Sequence, residues 1–451
     1  MKNVPVRRTR AFATVMVFSV VIIASVIVTV MQASALGQAT LGREALARTR
    51  AYWAARAGVE SAIAKLEYDT QNDDRSNAFT VTDDMTQVAS ATLSGASYRV
   101  SHSDQKGQHD GPADAHAKLN VNALTKDQLV SLEPYMAEDA ADSVLDWVDG
   151  DEDVRPLGAE LGYYQSLPHP YEPRNAPMRS IAELELVAGI DARDVRGEDW
   201  NLNGVLDANE NDGSASFPSD NADDVLDAGW SGLLTASSVE GPLSGSGQEK
   251  LDLSSVDEAA LATRLAITRD QAKIVVDYVA AVPNATLARF ITQDLNTLAR
   301  QADAATDQSA GAGGRTTARA TVPPLTNVQL GSLLEECTIG PAIAGPGKLN
   351  INSCEAETLQ YLPQLEPETA DAIIAERNSR ATGFVTLGDL MSVPGVSRAQ
   401  LAAAYGVLTV RSNVYVVTSR GRDERTGIEV EVVATVDRST VPVVIQEVRV
   451  R

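Results

Sequence analysis

Residues 11–67 read AFATVMVFSVVIIASVIVTVMQASALGQATLG and then REALARTRAYWAARAGVESAIAKLE. The first part, residues 11–42, carries no charge, and its apolar run is long enough to cross a hydrocarbon core of roughly 30 Å. The second part keeps apolar residues at helical spacing, and no proline falls between Pro5 and Pro112. The stretch therefore predicts a single helix of about 85 Å, at 1.5 Å per residue, that is half membrane span and half external spine.

The segment before this helix is basic, because it contains Lys2, Arg7, Arg8 and Arg10. Positively charged flanks stay in the cytoplasm, so everything after residue 36 is expected outside the membrane. This gives a leader (1–11), a transmembrane part (12–36) and a spine (37–68). The alternative is a secretory signal peptide cut at an A-x-A-like site near Ala35, but the apolar run is longer than such peptides have.

The composition favours a folded, acidic protein of several domains. The chain has 451 residues, 44% of them hydrophobic, and a formal net charge of −23. This charge repels phosphate backbones, so nucleic acid is not expected as a partner, whereas bound cations are. The two cysteines, Cys337 and Cys354, could form one disulfide in an exported chain or remain two separate thiols, since spacing alone does not fix the geometry.

Both ends of the chain predict β-strands. Near the N-terminus, AFTVTDD (78–84) and ATLSGASYRVSHS (91–103) are strand-like, and near the C-terminus three Val-rich alternating runs predict an antiparallel meander within 406–451. An α+β fold follows, in which the N-terminal helix packs on an antiparallel sheet made from both ends and a large helical region is inserted between them.

The inserted region contains an internal repeat. Three segments share one frame: KLNVNALTKDQL (118–129), KLDLSSVDEAAL (250–261) and KLNINSCEAETL (348–359). Each predicts an extended entry and then a helix, with Asn122, Ser254 and Asn352 as N-caps. The first and third copies continue into the matching stretches MRSIAELELVAGI (178–190) and FVTLGDLMSVPGV (384–396), with Ser180 and Thr386 as N-caps and Gly189 and Gly395 as stops. These are helix-hairpin-helix-like units.

The sharpest chemical pattern lies in GEDWNLNGVLDANENDG, where oxygen ligands recur at the spacing of an EF-hand-type loop. Gly204 occupies the sixth position, where the chain must turn sharply. The candidate Ca²⁺ ligands are Asp199, Asn201, Asn203, the carbonyl of Val205, Asp207 and Glu210. The alternative is a surface turn rich in Asn, Asp and Gly, and the flanks do not predict the two clean helices of a full EF-hand.

Other chemical interpretations find less support in the residues. DWVDGDEDVR (146–155) predicts either another cation site or a solvated acidic loop. The hairpin turns lack the glycines that bring backbone N–H groups to a phosphate, and two of them are acidic, which favours packing modules over DNA grips. No nucleophile–base motif, P-loop or zinc-protease motif occurs, so we expect no enzyme, and an exported hydrolase is remote.

Several segments of the chain, taken together, carry a family resemblance. They are the basic leader, the apolar helix, RAYWAARAGVESAIAKLE, KLNVN and the block running from LDWVDGDEDVRP to GAELGYYQSLPHPYEPRNAPMRSIAELELVAGI. They resemble the general secretion pathway protein K family, a minor pseudopilin of type II secretion systems. The resemblance covers nearly the whole chain. Its most specific part is the YY…PY.PRN.P..S..EL run. The domains are then the first pilin-like strands (69–117), the inserted helical domain (118–346), a helix-hairpin-helix-like module (347–405) and the C-terminal strands (406–451).

This resemblance implies an inner-membrane prepilin, single-pass with its N-terminus in the cytoplasm, that a prepilin peptidase cuts and N-methylates. It implies a pilin-like head that binds calcium in its insertion and caps the pseudopilus tip, with other minor pseudopilins and the major pseudopilin as partners. The best processing junction is Ala11–Phe12, although the family usually cuts after Gly, and position 5 of the mature chain is then Met16 instead of Glu. The alternatives are a membrane-anchored DNA receptor and a type IV pilus minor pilin.

Overall fold

A computed structural model describes residues 8–451 apart from 73, 75, 105, 106, 133, 245 and 311–320, and it leaves out the side chains of residues 8–11 and 307–310. One helix, α1 (Arg8–Gln71), runs for 64 residues without interruption. This confirms the single long helix, while the leader residues Lys2 and Arg7 lie outside the described part. Among the helices described, α1 is the one with the length and composition to cross a membrane.

The sheet joins the two ends of the chain, as the sequence predicts. Its strands are β1 (Ser90–Leu93), β2 (Ala96–Asp104), β3 (Gly107–Asp110), β4 (Ala113–Asp114), β13 (Val414–Asp423), β14 (Glu429–Asp437) and β15 (Val444–Val450). The antiparallel order is β1-β2-β13-β14-β15, with β3 paired to β2 and β4 paired to β13.

Helix α1 packs on this sheet through small residues. Ala51, Ala55 and Val59 are buried on the face of α1 that meets β2, β13 and β14. The approach is close enough that a Cβ placed on Gly421 would lie 2.0 Å from the carbonyl oxygen of Ala51. A larger side chain at this crossing would push the helix off the sheet, because backbone atoms cannot move aside as a side chain can.

Two of the N-terminal strand predictions are wrong. Residues 78–84 do not form a strand: α2 (Thr80–Gln87) occupies most of them and buries Met85, with Val81 packed on the same core one turn earlier. Residues 91–103 are not one strand but a hairpin, because the chain turns at Gly95, whose φ of +79° suits glycine. The first segment was wrong in its period, since Val81 and Met85 pack at helical spacing, and the second missed a turn between two strands.

The inserted region consists of three units, and each closes with a two-residue parallel bridge. In the first unit β5 (Leu119–Asn120) pairs with β6 (Leu234–Thr235), in the second β8 (Leu251–Asp252) pairs with β9 (Cys337–Thr338), and in the third β11 (Leu349–Asn350) pairs with β12 (Leu408–Thr409). The opening strand of each bridge lies in the repeated KL-N/D frame. The repeat in the sequence is therefore a repeat in the structure.

The repeated asparagines do not cap helices as predicted. The helix caps come later, at Thr125, Asp257 and Glu355. Asn122 instead clamps the main chain of Met178, donating to its carbonyl at 3.0 Å and accepting from its N–H at 2.7 Å. Asn352 holds Phe384 in the same way, at 2.9 and 2.8 Å, so the two units share one cross-link.

The units are mainly helical and share one large apolar core, separate from the core between α1 and the sheet. Ser180 and Thr386 cap the 3-10 helices Ile181–Leu186 and Leu387–Ser392, and Gly189 and Gly395 follow with positive φ, as predicted. The remaining bounds are α3 (Lys126–Val130), α4 (Glu138–Val148), α5 (Leu161–Gln165), α6 (Ala192–Arg196), α7 (Gly229–Leu233), β7 (Val239–Glu240), α8 (Glu258–Leu265), α9 (Arg269–Ala281), α10 (Ala288–Thr292), α11 (Leu295–Ala310), α12 (Asn327–Glu336), β10 (Gly345–Pro346), α13 (Ala356–Gln360), α14 (Pro367–Ser379) and α15 (Arg398–Ala404).

Candidate functional site

The predicted calcium loop, residues 199–210, begins shortly after the short helix α6 and ends in the 3-10 helix Ala208–Glu210. It turns at Gly204, whose φ is +67°, at the position where the spacing requires a sharp turn. The flanks are too short for the two helices of an EF-hand, which agrees with the sequence. The loop alone must therefore hold any ion.

The sequence-predicted ligands come together in this loop. Asp199 accepts hydrogen bonds from the N–H groups of Asn203 and Gly204, at 2.9 and 3.0 Å. One oxygen of Asp207 accepts from the side-chain amides of Asn201 (2.8 Å) and Asn203 (3.1 Å). The N–H of Asp207 in turn donates to Glu210 at 3.1 Å. Val205 is buried in the middle of the loop.

Some oxygens of the loop lack a hydrogen-bond donor. Asn201 Oδ1 and Glu210 Oε1 are buried with no partner among the described residues. Burial raises the pKa of Asp199, and burial with the nearby Asp199 and Asp207 charges raises the pKa of Glu210 to about 7. Buried, unpaired oxygens of this kind are costly unless a cation or proton joins them, and they are the ligand type that Ca²⁺ prefers. The residues therefore fit the ion.

One of the predicted ligands, Asp207, has a cationic partner from the sheet. Within the described part of the chain, no three His, Cys, Asp or Glu side chains are gathered into a metal-binding group. The second oxygen of Asp207 instead pairs with the guanidinium of Arg420 at 2.6 Å. An arginine thus supplies the positive charge beside one of the predicted ligands.

Arg420 and its neighbour Glu431 belong to the sheet, and sequence analysis missed both. Arg420 bridges Asp207 to Glu431, at 2.6 and 2.8 Å, and Glu431 also accepts from Asn203 at 3.1 Å. The carbonyl of Gly204 accepts from the N–H of Ser103 at 2.7 Å. Arg420 and Glu431 face each other in register between β13 and β14, and this charge pair within two apolar runs is the signal that could have found them.

The second acidic segment, residues 146–155, was predicted to be either a cation site or a solvated acidic loop, and it is only partly solvated. Asp151 and Asp153 are exposed, whereas Asp146 is fully buried. Arg155 pairs with Asp146 at 2.6 Å and with Asp149 at 2.5 Å.

The two cysteines are free, buried thiols, so the possible Cys337–Cys354 disulfide is not formed in this structure and the separate-thiol alternative describes it. Burial raises the pKa of each thiol to about 12. The candidate processing junction lies in the first turns of α1, where Phe12 is exposed and the side chain of Ala11 is outside the described part. Cleavage between Ala11 and Phe12 therefore stays a prediction.

Two family models match the chain. Residues 93–197 match the model of type II secretion system protein K, and residues 346–409 match that of the helix-hairpin-helix motif. The latter range contains the third repeat unit, which extends to Thr409, four residues beyond the predicted module. No curated protein matches the chain.

Among solved structures, one example is similar to this chain over most of the chain's length. It is a chain of the GspK-GspI-GspJ complex from the enterotoxigenic Escherichia coli type 2 secretion system, with 15% sequence identity and a TM-score of 0.47. The match covers 91% of the present chain and 99% of that chain.

Proposed function

We propose that this chain, whose residues 93–197 match the model of type II secretion system protein K, is a minor pseudopilin that lies at the tip of the pseudopilus and initiates or caps its assembly. Its partners in this proposal are other minor pseudopilins and the major pseudopilin. Its role is structural, and we expect no catalysed reaction.

The observation that carries the proposal is the contrast between the two halves of α1. Residues 12–46 are exposed throughout, while the next turns, beginning at Ala47, pack on the sheet. The uncharged, mainly apolar part of this exposed stretch, residues 12–42, cannot remain in water and needs a lipid or protein surround. A membrane before assembly and neighbouring helices after assembly would both supply it.

Membrane insertion follows from the same segment. We propose a single pass through the inner membrane, with the basic leader in the cytoplasm and the head in the periplasm. A prepilin peptidase would cut between Ala11 and Phe12 and methylate the new N-terminus. Met16 is then the fifth residue, and its lack of charge suits a subunit that needs no charge partner ahead of it in the fibre.

Intact mass of the membrane-extracted protein tests this pathway directly. Co-expression with a prepilin peptidase is expected to give a chain that begins at Phe12 and carries one added methyl group. The matched control is co-expression with a catalytically inactive peptidase, which should leave Met1 in place. A chain that begins at Met1 with the active enzyme, or one cut near Ala35, would contradict the pseudopilin pathway.

We also propose that residues 199–210 bind one structural Ca²⁺, through the side chains of Asp199, Asn201, Asn203, Asp207 and Glu210 and the carbonyl of Val205. The ion would supply the positive charge that the unpaired oxygens of Asn201 and Glu210 lack. Asn203 already joins this loop to the sheet through Glu431, so an ordered loop would fix the insertion on the pilin-like part. Calcium should therefore raise the unfolding midpoint, and D199N should remove that gain.

DNA binding, the main alternative, finds little support in the helix-hairpin-helix module. Arg398, the basic residue after the Gly395 turn, donates to the carbonyl of Ile291 at 2.9 Å. Arg377 is buried and donates to the carbonyls of Ile351 and Cys354. Both side chains are used within the protein, and the net charge of −23 opposes a phosphate backbone. Salt-dependent retention of DNA by the purified protein would revive this alternative.

A further inference from the structure

Two histidines lie side by side on the β2–β3 hairpin, in the pilin-like part of the chain. His102 on β2 is directly opposite His109 on β3 in the antiparallel register. Their ring centres are 5.6 Å apart, and the ring planes are inclined at 34°. Side chains opposite each other on paired strands share one face of the sheet, so both imidazoles lie on the same side of the hairpin. Such a pair is either a ring contact or a pair of metal ligands.

This face of the hairpin is turned away from the predicted calcium loop, residues 199–210. Successive side chains of a strand point to opposite faces. Ser103 lies between His102 and Asp104, and its hydroxyl accepts a hydrogen bond from the N–H of Leu206 at 3.1 Å. The Ser103 side chain is thus directed to the calcium loop, and those of His102 and Asp104 are directed to the opposite face. The histidine pair is therefore separate from that loop, and it lies outside the insertion.

Hydrogen bonds decide which nitrogen of each histidine is available to a metal ion. His102 Nδ1 lies 3.0 Å from the carbonyl oxygen of Gly111, and His109 Nε2 lies 2.8 Å from Asp104 Oδ1. A carbonyl and an ionised carboxylate only accept, so these two nitrogens carry the hydrogens. The lone pairs then lie on His102 Nε2 and His109 Nδ1, which have no hydrogen bond among the described residues. Metal-binding histidines have this arrangement, with one nitrogen on the metal and the other donating to a carbonyl or carboxylate.

The spacing of the two rings suits one shared ion. A metal ion about 2.0–2.1 Å from a histidine nitrogen lies roughly 3 Å from the ring centre, so two histidines at a tetrahedral angle have their ring centres about 5–6 Å apart. The observed separation of 5.6 Å falls within this range. Burial lowers the pKa of His102, which keeps that ring neutral and its lone pair available at neutral pH.

We propose that His102 and His109 bind one divalent transition-metal ion, Cu²⁺ or Zn²⁺, with water in the remaining positions. Imidazole nitrogen favours these ions, whereas Ca²⁺ and Mg²⁺ prefer oxygen ligands. With two protein ligands, the site does not require the group of three that the described residues lack. Asp104 is a positioning residue in this proposal, because it holds His109 through the nitrogen that does not bind the metal.

The bound ion would cross-link β2 to β3 at the place where β2 supports the insertion. Between the two metal-facing side chains of β2, the N–H of Ser103 donates to the carbonyl of Gly204 at 2.7 Å. A cross-linked hairpin would hold Ser103 more firmly against residues 199–210. The expected role is therefore structural, and the proposal does not depend on the position of the protein in a pseudopilus.

Isothermal titration of the full-length protein in detergent, made without a polyhistidine tag, measures the binding of Cu²⁺ and of Zn²⁺ in excess CaCl₂. We expect one tightly bound ion per wild-type chain, with Cu²⁺ bound more tightly than Zn²⁺. H109N should weaken the binding of both metals at least about tenfold. The His109 side chain is 42% exposed, so the fold should tolerate this change. The matched control is H169N, which removes an exposed histidine elsewhere and should bind as the wild type does.

Equal binding of both metals by the wild type and H109N overturns the proposal, and the two rings are then a packing contact only. Modification of the wild type with diethyl pyrocarbonate, which reacts with free imidazole nitrogen, gives a second measurement that needs no variant. Zn²⁺ should slow the modification of His102 and His109 and leave that of His169 unchanged. Modification of His109 at the same rate with Zn²⁺ and with EDTA overturns the proposal as well.

Discussion

The pilin-like part and the inserted part are built on opposite packing rules. Where α1 crosses the sheet, small residues such as Ala51, Ala55 and Gly421 bring backbones together. The core of the insertion is filled instead by large side chains, among them Trp230 and Tyr164. The difference teaches that added volume should damage the first region and removed volume the second.

The largest expected effect is the loss of volume in the insertion. Trp230 is 2% exposed, and its indole N–H donates to the carbonyl of Pro134 at 2.6 Å. W230A should lower the free energy of unfolding of the insertion by about 3–5 kcal/mol. Urea unfolding followed by hydrogen exchange would show the insertion opening before the sheet. The control is W53A on α1, where the indole is 62% exposed, and it should change stability little.

If W230A instead destabilises the sheet and the insertion equally, the two regions unfold as one cooperative unit and the contrast between their cores has no thermodynamic meaning. If W53A in detergent is as harmful as W230A, packing in the head does not decide the outcome. Either result would break the comparison.

The second prediction adds volume at the crossing of α1 and β13. G421V places side-chain atoms at a position where the carbonyl oxygen of Ala51 and the amide nitrogen of Ala55 would lie within 2.3 Å of the new Cβ. We expect the free energy of unfolding to fall by roughly 1–3 kcal/mol, because the added side chain forces the backbone of α1 and β13 apart. G42A lies in the exposed half of α1, where a Cβ would meet no described atom within 4 Å, and should be neutral or slightly stabilising. Thermal unfolding of both variants checks the pair, and a harmless G421V would refute close packing.

The third prediction concerns the polar junction between the two regions. R420A removes the partner of Asp207 and of Glu431, which is 8% exposed. We expect the free energy of unfolding to fall by about 1–2 kcal/mol. This is less than for a fully buried charged hydrogen bond, because a third of the Arg420 side chain is exposed to solvent. R422A is the matched control: it lies on the same strand, is 58% exposed and pairs with Glu429 at 3.8 Å. Chemical denaturation without calcium should show a larger loss of stability for R420A than for R422A. Equal losses of stability would mean that the junction has no special role.

The sequence predicted the regular parts of both regions well. The uncharged run predicted α1, and Val-rich runs with partial alternation predicted β13 to β15. The repeat was found because three KL-N/D frames recur, and its closing bridges all begin there. Short elements failed. The composition of AFTVTDD does not distinguish a strand from a helix. The segment is helical in the structure, where Met85 packs in the core beneath α1.

The candidate site was predictable only within one segment. The ligands of residues 199–210 follow a local spacing, so they could be read from the sequence. Arg420 and Glu431 stand more than 200 residues from Asn203, and their contact depends on how the insertion docks on the sheet. The helix caps were misassigned because Asn122 and Asn352 are used for long-range clamps, which no local rule reports.

The smallest expected effect is on chemistry rather than stability, and it gives a local probe of the insertion. Cys337 and Cys354 are 2% and 1% exposed, and burial raises the pKa of each thiol to about 12. At pH 8 only about one thiol in ten thousand would then be ionised, so iodoacetamide should not label the native protein. W230A should open the insertion and expose both thiols to labelling, whereas G421V should leave them protected because it strains the other region. Rapid labelling of the native wild type would contradict this burial. A mass 2 Da lower with no thiol titrated after unfolding would instead indicate the disulfide, since a bridge removes two hydrogens.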